Sequence, residues 1–404
     1  MKVYLVGGAV RDQLLGLPVK ERDWVVVGST VEEMLAQNYQ LVGKDFPVFL
    51  HPETKEEYAL ARTEKKTGQG YKGFICHASP DVTLEEDLMR RDLTINAIAM
   101  DETGQIIDPY CGLDDLKNKQ LRHVSAAFEE DPIRLLRIAR FRARFHHLGF
   151  NIALETYEFL LSMVRKGEMQ ACVSERIWQE CEQSLSEKDP VYFFQTLREC
   201  GALAILFPEI DALFGVPNPP KWHPEIDSGW HTLMVLEQAT KLSESTIVRF
   251  CALTHDLGKA CTPKAHWPSH HGHEELGLHP IKQLTHRLKI PKIYERQALL
   301  TAKLHTKIHK AQELTPSKII DLFETMDAFR RPEQFNNILI ACIADSHGRP
   351  SHENDPCPAI DYLKQCLLLA TQVSAKTFVE KGLKGEAIAH AIHQARVEVL
   401  KNVK

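Results

Sequence analysis

The first thirty residues combine a glycine turn, a basic side chain and two closely spaced acids. A short apolar run ends in Gly7-Gly8, and Arg11 follows within one helical turn. Glu21 and Asp23 then open a second apolar run. Residues two apart in a strand project from the same face, so we expect these two carboxylates side by side. Such a pair suits Mg²⁺ with substrate phosphates, while the glycines and Arg11 suit phosphate contact. The segment therefore predicts metal-assisted phosphoryl or nucleotidyl transfer.

A second motif sets paired arginines before an apolar stretch. Arg90-Arg91-Asp92 precedes Leu-Thr-Ile-Asn-Ala. Arg91 could clamp a triphosphate or hold an acid, and a charged first turn of a buried helix would, in isolation, explain the motif nearly as well.

A third motif places an acid and a series of arginines at helical spacing. Asp131, Arg134 and Arg137 fall at i, i+3 and i+6, and Arg140 lies a turn further on. Glu130-Asp131-Pro132 reads as the start of this helix. Five arginines and no acid lie between Arg134 and Arg144, which favours an anionic partner over a solvated basic face.

The second half of the chain is rich in histidine. Residues 223–309 hold 11 of the 20 histidines. His231, the doublet His255-Asp256 and the later Asp345 have the residue types that hold a transition metal able to activate water. Other histidines compete as ligands, namely His270, His271, His273, His305 and His309.

Composition and charge narrow the class of protein. The 404 residues carry a net charge of −5, so any nucleic acid would bind local basic surfaces. Ten cysteines occur without CxxC pairs, which argues against a zinc ribbon or a disulfide framework. No apolar run is long enough to span a membrane, and we expect no signal peptide. We therefore expect a cytoplasmic protein with no membrane partner.

The elements that must position these residues change type along the chain. Strand-like runs at 3–6, 24–27, 47–50, 57–61 and 95–100 indicate mixed α and β structure at first. From about residue 125 the pattern is helical nearly to the end. A proline-rich break at 216–224 and another at 348–358 indicate domain junctions.

Together the motifs resemble those of class II tRNA nucleotidyltransferases, the bacterial CCA-adding enzymes, in their long form with an HD domain. The resemblance covers essentially the whole chain. It implies an α+β fold: a polymerase-β-type nucleotidyltransferase head with a mixed sheet (1–125), an all-α neck with the base pocket (126–215), an HD phosphohydrolase domain (216–350) and a helical tail (351–404). It also implies that the partners are tRNA, CTP and ATP, and that the chain is a monomer or a weak homo-oligomer.

The resemblance also implies roles for individual residues. Glu21 and Asp23 would hold catalytic Mg²⁺. The nucleotide-binding residues would be Gly8, Arg11, Arg91, Asp131, Arg134, Arg137 and Arg140, with Asp131 and Arg134 reading the base. His231, His255, Asp256 and Asp345 would hold a divalent transition metal such as Ni²⁺. The activities implied for that domain are those of a phosphatase, a 2′-nucleotidase and a 2′,3′-cyclic phosphodiesterase.

Selection of C and A also has a physical basis in the side chains. Cytosine and adenine both present an amine donor beside a ring-nitrogen acceptor, whereas aspartate only accepts and arginine only donates. An Asp131/Arg134 pair therefore complements both bases. Glu57 could be a third acid near the metal ions or an ordinary surface acid.

Three other functions fit parts of the pattern. A bacterial poly(A) polymerase shares the head, but such enzymes carry two basic residues after a glycine where this chain has Gly43-Lys44-Asp45, so Asp45 favours CCA addition. An HD phosphohydrolase with a vestigial head would not need Glu21, Asp23 and Arg91. A non-catalytic RNA-binding module would not need the metal-binding acids either.

Overall fold

The structure is a computed structural model that describes residues 1–42, 47–66, 74–220, 227–401 and 403, with the main chain alone at 64–66 and 74–76. The chain divides into two compact units, Met1–Leu206 and Phe207–Lys404. Asp45 and part of the break at 216–224 lie outside the described residues.

The first unit begins with a mixed seven-stranded sheet. Its strand order is β3-β4-β5-β2-β1-β8-β9, and only β2 and β5 run parallel. Two short pairs, β6–β7 and β10–β11, lie outside this sheet. The strands are β1 (Lys2–Val6), β2 (Asp23–Val27), β3 (Gln40–Leu41), β4 (Val48–Leu50), β5 (Glu57–Leu60), β6 (Arg62–Lys66), β7 (Phe74–Ala78), β8 (Ala99–Met100), β9 (Ile106–Ile107), β10 (Gln120–Leu121) and β11 (Asn151–Ile152).

Helices cover the rest of the first unit. They are α1 (Gly8–Leu14), α2 (Val31–Ala36), α3 (Leu84–Met89), α4 (Gly112–Asn118), α5 (Ile133–Phe145), α6 (Leu154–Arg165), α7 (Ser174–Ser186), α8 (Val191–Glu199) and α9 (Leu203–Leu206). Thr30 and Thr83 start α2 and α3 through capping boxes with Glu33 and Glu86.

Alternation along β2 gives the sheet two buried faces. Val25 packs with Val6 and Ala99 on one side, whereas Val26 packs with Phe49 on the other. Successive side chains of a strand point to opposite faces, so both faces are covered. The central strands β1 and β2 are thereby fixed, and the site residues lie at their ends.

The second unit is helical in its described residues. Its helices are α10 (Pro208–Asp211), α11 (Ser228–Leu242), α12 (Thr246–Thr254), α13 (His273–Leu276), α14 (Leu278–Arg287), α15 (Lys292–His309), α16 (Pro316–Thr325), α17 (Pro332–His347), α18 (Pro358–Thr371), α19 (Lys376–Glu380) and α20 (Glu386–Leu400). One apolar core is shared by α15, α16, α17, α18 and α20, with Phe323, Phe335, Leu363 and Leu400 all buried in it. In the part of the chain that the structure describes, no helix is long and apolar enough to cross a membrane.

The mixed sheet and the helical remainder confirm the predicted α+β architecture. The strand expected at 95–100 is wrong in its first half, because Thr94–Asn96 form a 3-10 helix and only Ala99–Met100 pair with the sheet. The 3-10 turn directs the buried Asn96 side chain to Arg11 and Asp92, which a strand with alternating faces would not do.

Candidate active sites

The sequence-predicted residues of the first unit line one cleft of about 500 Å³. That volume lies within the range of sites that enclose a small-molecule ligand. The predicted residues in its wall are Gly8, Arg11, Glu21, Asp23, Arg91, Asp131, Arg134, Arg137 and Arg140. Sequence positions more than a hundred residues apart are thus brought together.

The glycine turn between β1 and α1 allows an arginine to approach the main chain closely. Gly7 has φ +69°, and a Cβ atom there would lie 2.8 Å from Nη1 of Arg91. The positive φ disfavours a larger residue, and a Cβ atom there would require the Arg91 guanidinium to shift. The turn therefore fixes the relation of α1 to Arg91.

Both acids of the pair line the cleft, but only one of them lies within a strand. Asp23 is the first residue of β2 and Glu21 precedes the strand, so a shared strand face is not what brings them together. Desolvation in the cleft raises the pKa of Asp23, Arg91 opposes this and Glu21 adds to it. The parallel register places Glu57 of β5 opposite Asp23, and Glu57 lines an adjoining cleft with both acids.

Two buried ion-pair groups hold the arginines near the acid pair. Arg11 is buried, and its Nε donates to Asp12 at 2.8 Å. Arg91 donates to the fully buried Asp87 at 3.2 Å and to the main-chain carbonyl of Asn96 at 3.5 Å. Both guanidinium groups are therefore oriented before any ligand binds.

Four of the five arginines of α5 line the cleft, and three of these four pair with acids from other elements. Arg137 donates to Asp92 at 2.8 Å, and Arg140 donates to Glu180 at 2.7 Å. Arg144 donates to Asp12, 132 residues away, at 2.9 Å. The acids that neutralise the arginines of α5 are thus distant from this helix in the sequence.

Asp131 lies before α5 rather than on it, which corrects the expected i, i+3, i+6 series. Its main chain is extended, with φ −117°, and Pro132 is the N-cap of the helix, which begins at Ile133 and carries Arg134. Arg176 of α7 donates two hydrogen bonds to Asp131, of 3.1 Å to Oδ1 and 2.8 Å to Oδ2. Arg134 donates to the carbonyl of Ala127 at 2.9 Å.

The cleft carries an excess of positive charge. Four carboxylates line it, against eight arginines. The arginines are Arg11, Arg90, Arg91, Arg134, Arg137, Arg140, Arg144 and Arg176. Such a surface attracts a polyanion, although the whole chain is acidic.

The sequence alone did not single out several residues that line this cleft or pair with its arginines. Asp92 stood inside the second motif and could have been suspected from its place beside Arg91. Arg176 and Glu180 lie on α7, at i and i+4, within a segment that looks like an ordinary amphipathic helix. No local signal marks them.

A second cluster, which we call the histidine centre, lies in the second unit. It contains His231, His255, Asp256 and Asp345, as predicted from the sequence, with His273, His305 and His309 beside them. His231 Nε2 lies 3.1 Å from Asp345, and His255 Nε2 lies 3.2 Å from Asp256. Two of the competing histidines are not in it: His270 is bonded through both ring nitrogens, to Thr262 and Pro217, and His271 is exposed.

The glycine of the His-Asp-Leu-Gly-Lys segment permits this assembly. A Cβ atom on Gly258 would lie 1.9 Å from the carbonyl oxygen of His273. The turn after His255-Asp256 can therefore pack directly against the start of α13.

Charge coupling is strong within the histidine centre. Burial alone would lower the pKa of His255, but Asp256 and Asp345 raise it to about 10. Burial lowers the pKa of His305 to about 4. The two buried carboxylates of Asp256 and Asp345 thus favour a cation between them. The imidazole nitrogens and carboxylate oxygens of the centre could be the ligands of such a cation.

Known families and relatives match both units of this chain. The chain matches the families described as the poly A polymerase head domain (residues 3–122), the probable RNA and SrmB-binding site of polymerase A (149–214) and the HD domain (230–348). It is 58% identical over 404 residues to the multifunctional CCA protein of Thioalkalivibrio sulfidiphilus, covering 100% of this chain and 99% of the relative. It is 54% identical to that of Mannheimia succiniciproducens over 409 residues, covering 100% and 98%.

Solved structures share the fold. A CCA-adding enzyme in complex with CTP superposes with a TM-score of 0.67 at 20% identity, over 99% of this chain and 87% of that one. A Thermotoga maritima CCA-adding enzyme in complex with tRNA superposes with a TM-score of 0.64 at 19% identity, over 100% and 90%.

Proposed function

Because this chain belongs to the family of multifunctional CCA proteins, which are tRNA nucleotidyltransferases with an HD domain, we propose that it adds CCA to tRNA 3′ ends from CTP and ATP. Pyrophosphate leaves at each step, and the reaction serves both maturation and repair. The observation that carries the proposal is the cleft that brings Glu21, Asp23 and Asp131 together with eight arginines. The proposed division is a catalytic head, a neck, an HD domain and a tail, in a cytoplasmic monomer or weak homo-oligomer.

Glu21 and Asp23 are the catalytic acids in this proposal. Their oxygen donors fit Mg²⁺. Desolvation raises the pKa of Asp23 and Glu21 adds to the shift, so a divalent cation would favour the ionised pair. The ions would lower the pKa of the RNA 3′-hydroxyl and stabilise charge on the α-phosphate. The two carboxylates orient the hydroxyl for attack on that phosphate.

The arginines bind and orient the triphosphate. Arg11 and Arg91 are held by Asp12 and Asp87, so their donors are fixed in direction at little further loss of side-chain freedom. The main chain at Gly8, with Arg137 and Arg140, adds donors along the same cleft. Fixed donors of this kind suit an anion whose charge shifts during the reaction.

Asp131 and Arg134 read the base by hydrogen bonding. Asp131 accepts from the exocyclic amine of cytosine or adenine, and Arg134 donates to the adjoining ring nitrogen. Arg176 bonds both oxygens of Asp131 and so keeps the carboxylate ionised and oriented. Guanine and uracil present the reverse order and leave buried groups unpaired.

For the HD domain we propose metal-dependent phosphohydrolase activity: a phosphatase, 2′-nucleotidase and 2′,3′-cyclic phosphodiesterase. His231, His255, Asp256 and Asp345 would hold a divalent transition metal such as Ni²⁺. The mixture of imidazole and carboxylate donors fits such an ion, which would supply an activated water at neutral pH.

One assay tests the polymerase function against its rivals. The protein is incubated with tRNA that lacks its 3′ end and with each nucleoside triphosphate in turn. Ordered incorporation of C, C and A is the expected result. A long A tract would identify a poly(A) polymerase instead, and no extension would leave the HD phosphohydrolase or a binding module.

A further inference from the structure

We propose that the histidine centre is a two-metal site, in which Asp256 Oδ1, His273 and His305 hold a second ion that Asp256 bridges to the first. This proposal rests on the phosphohydrolase function proposed above. It adds ligands and an ion that the His255-Asp256 motif does not contain.

Two sets of ligand atoms are present at metal-binding spacing. The ligand atoms of His231, His255 and Asp345 lie within 4.8 Å of one another, and so do those of Asp256, His273 and His305. The two triads share no residue, so neither must give up a ligand for the other. Each is buried or nearly so.

Asp256 connects the two triads through its two oxygens. Oδ2 lies 3.2 Å from His255 Nε2, whereas Oδ1 lies 3.4 Å from His273 Nε2 and 3.6 Å from His305 Nε2. A carboxylate in this position can bridge two ions, which in such sites lie about 3.5–4 Å apart.

Hydrogen bonds to the main chain fix the tautomer of all four histidines. Nδ1 lies 3.1 Å from the carbonyl of Gly348 in His231, 2.7 Å from that of Ala252 in His255, 2.9 Å from that of His270 in His273 and 2.9 Å from that of Ala302 in His305. A carbonyl only accepts, so each Nδ1 carries a proton and each neutral ring presents the Nε2 lone pair inward.

This arrangement sets two lone pairs against each other. Nε2 of His273 and Nε2 of His305 are 3.2 Å apart, and with both Nδ1 atoms protonated neither neutral ring can donate to the other. A cation between them, whether a metal ion or a proton, removes the repulsion.

Each triad also holds an atom that is not hydrogen-bonded. Among the described residues, Nε2 of His255 and Oδ1 of Asp256 are buried and have no hydrogen-bond partner of acceptable geometry. Both residues are 2% exposed. A buried polar atom without a partner is costly, and a metal–ligand bond would satisfy each of these.

The second triad is the one that faces a ligand. All three residues of the second triad, Asp256, His273 and His305, line a cavity with Lys259 and Arg349, whereas only Asp345 of the first triad does. The second ion would thus contact a substrate directly, with two cations beside it. The matching substrate class is a phosphate ester, whose oxygens can contact both the ion and the basic side chains.

Metal counting in the full chain tests this site. The parent variant carries Glu21→Ala and Asp23→Ala, which silence the head, and His393→Gln, which removes an exposed group of Asp321, Glu324 and His393. It is loaded with Ni²⁺, and tightly bound nickel is counted by mass spectrometry and by calorimetric titration. We expect two equivalents in the parent.

Single substitutions in each triad provide the matched comparison. His305→Gln and, separately, His273→Gln should each reduce the count from two to one, and so should His231→Gln in the other triad. Circular dichroism checks that each variant is folded. One equivalent in the parent, or two in both second-triad variants, would overturn the proposal.

The outcomes separate this inference from the proposed function. One nickel with hydrolysis of a phosphate ester by the unmodified chain keeps the phosphohydrolase and removes the second site. Two nickel ions without hydrolysis keep the two-metal site and remove the phosphohydrolase.

Discussion

At the residue scale, the bond geometry around Asp131 determines what a substitution there would do. Its carboxylate is gripped by Arg176 and touches no residue of the acid pair in the described contacts. Loss of the side chain should therefore affect the choice of base more than the transfer of the phosphoryl group.

We expect Asp131→Ala to relax base choice. Each lost hydrogen-bond partner costs about 1–3 kcal/mol, so discrimination against U and G should fall roughly ten- to a hundredfold. Single-nucleotide incorporation rates on tRNA ending before the first C measure this. Arg176→Lys, which keeps charge but loses the fork, should give a smaller change in the same direction. Undiminished selectivity in Asp131→Ala would contradict the assignment.

Asp92 provides a prediction that depends on pH. Burial alone would raise its pKa, but Arg137 and a bond from Asn96 hold it well below the ordinary range. A carboxylate with a lowered pKa stabilises the fold above its unfolded value of about 3.9, and the stabilisation fades as pH falls through the folded value. Asp92→Asn should therefore lower the melting temperature by a constant amount above about pH 5.

Below pH 4 the melting temperatures of the unmodified protein and of Asp92→Asn should converge. Calorimetric scans across the pH range measure the difference, and a difference that grows on acidification would refute this role. The same variant should raise the KM for nucleotide more than it changes kcat, because Arg137 loses the partner that orients it.

At the element scale, the turn between β1 and α1 can be tested against a matched glycine. Gly7 and Gly16 both have φ +69°, but a Cβ on Gly16 would meet nothing within 4 Å. Alanine in a left-handed position costs about 1–2 kcal/mol, so Gly16→Ala should lose about this much stability. Gly7→Ala should lose at least as much, because its ψ of −130° lies outside the left-handed helical region.

Gly7→Ala should additionally displace Arg91 and weaken nucleotide binding. Denaturant unfolding and nucleotide titration of both variants separate the two effects. Equal nucleotide affinity in Gly7→Ala and Gly16→Ala would show that the Arg91 contact has no role in binding.

The elements also show how far the sequence could predict the site. Local spacing in the sequence was sufficient to identify the glycine turn, the acid pair and the arginine face of α5. It placed Asp131 on a helix, because helical spacing alone cannot show that Asp131 is extended and that the helix begins at Ile133. It could not predict the acids that pair with α5, since Asp12 and Glu180 come from other elements and meet it only after folding.

At the scale of the whole molecule, two chemistries lie in two separately packed units. The cleft residues all fall before Leu206, and the histidine centre falls entirely after it. Sequence predicted this separation because the arginine motifs and the histidines occupy different halves. It did not predict which of the extra histidines join the centre, since that depends on how α13 and α15 pack.

We expect substitutions in one unit to spare the activity of the other. His255→Ala should abolish metal-dependent phosphatase activity and leave CCA addition unchanged. Glu21→Gln should reduce CCA addition by roughly a thousandfold or more, since metal stabilisation of the transition state contributes several kcal/mol, and should leave the phosphatase intact. Both activities are measured on each variant, and loss of CCA addition in His255→Ala would show that the units are coupled.

Three of the four imidazole–carbonyl bonds in the histidine centre have a consequence for how such a centre can arise. In His255, His273 and His305 the acceptor is the carbonyl three residues earlier in the chain. The orientation of these three rings is therefore set by the adjacent main chain of each histidine. Of the four histidines, only His231 depends on a residue that is remote in sequence, Gly348. A new ligand can then be acquired by a single codon change on a suitable helix, ready to bind without a supporting mutation elsewhere. Metal centres built in this way can grow one ion at a time.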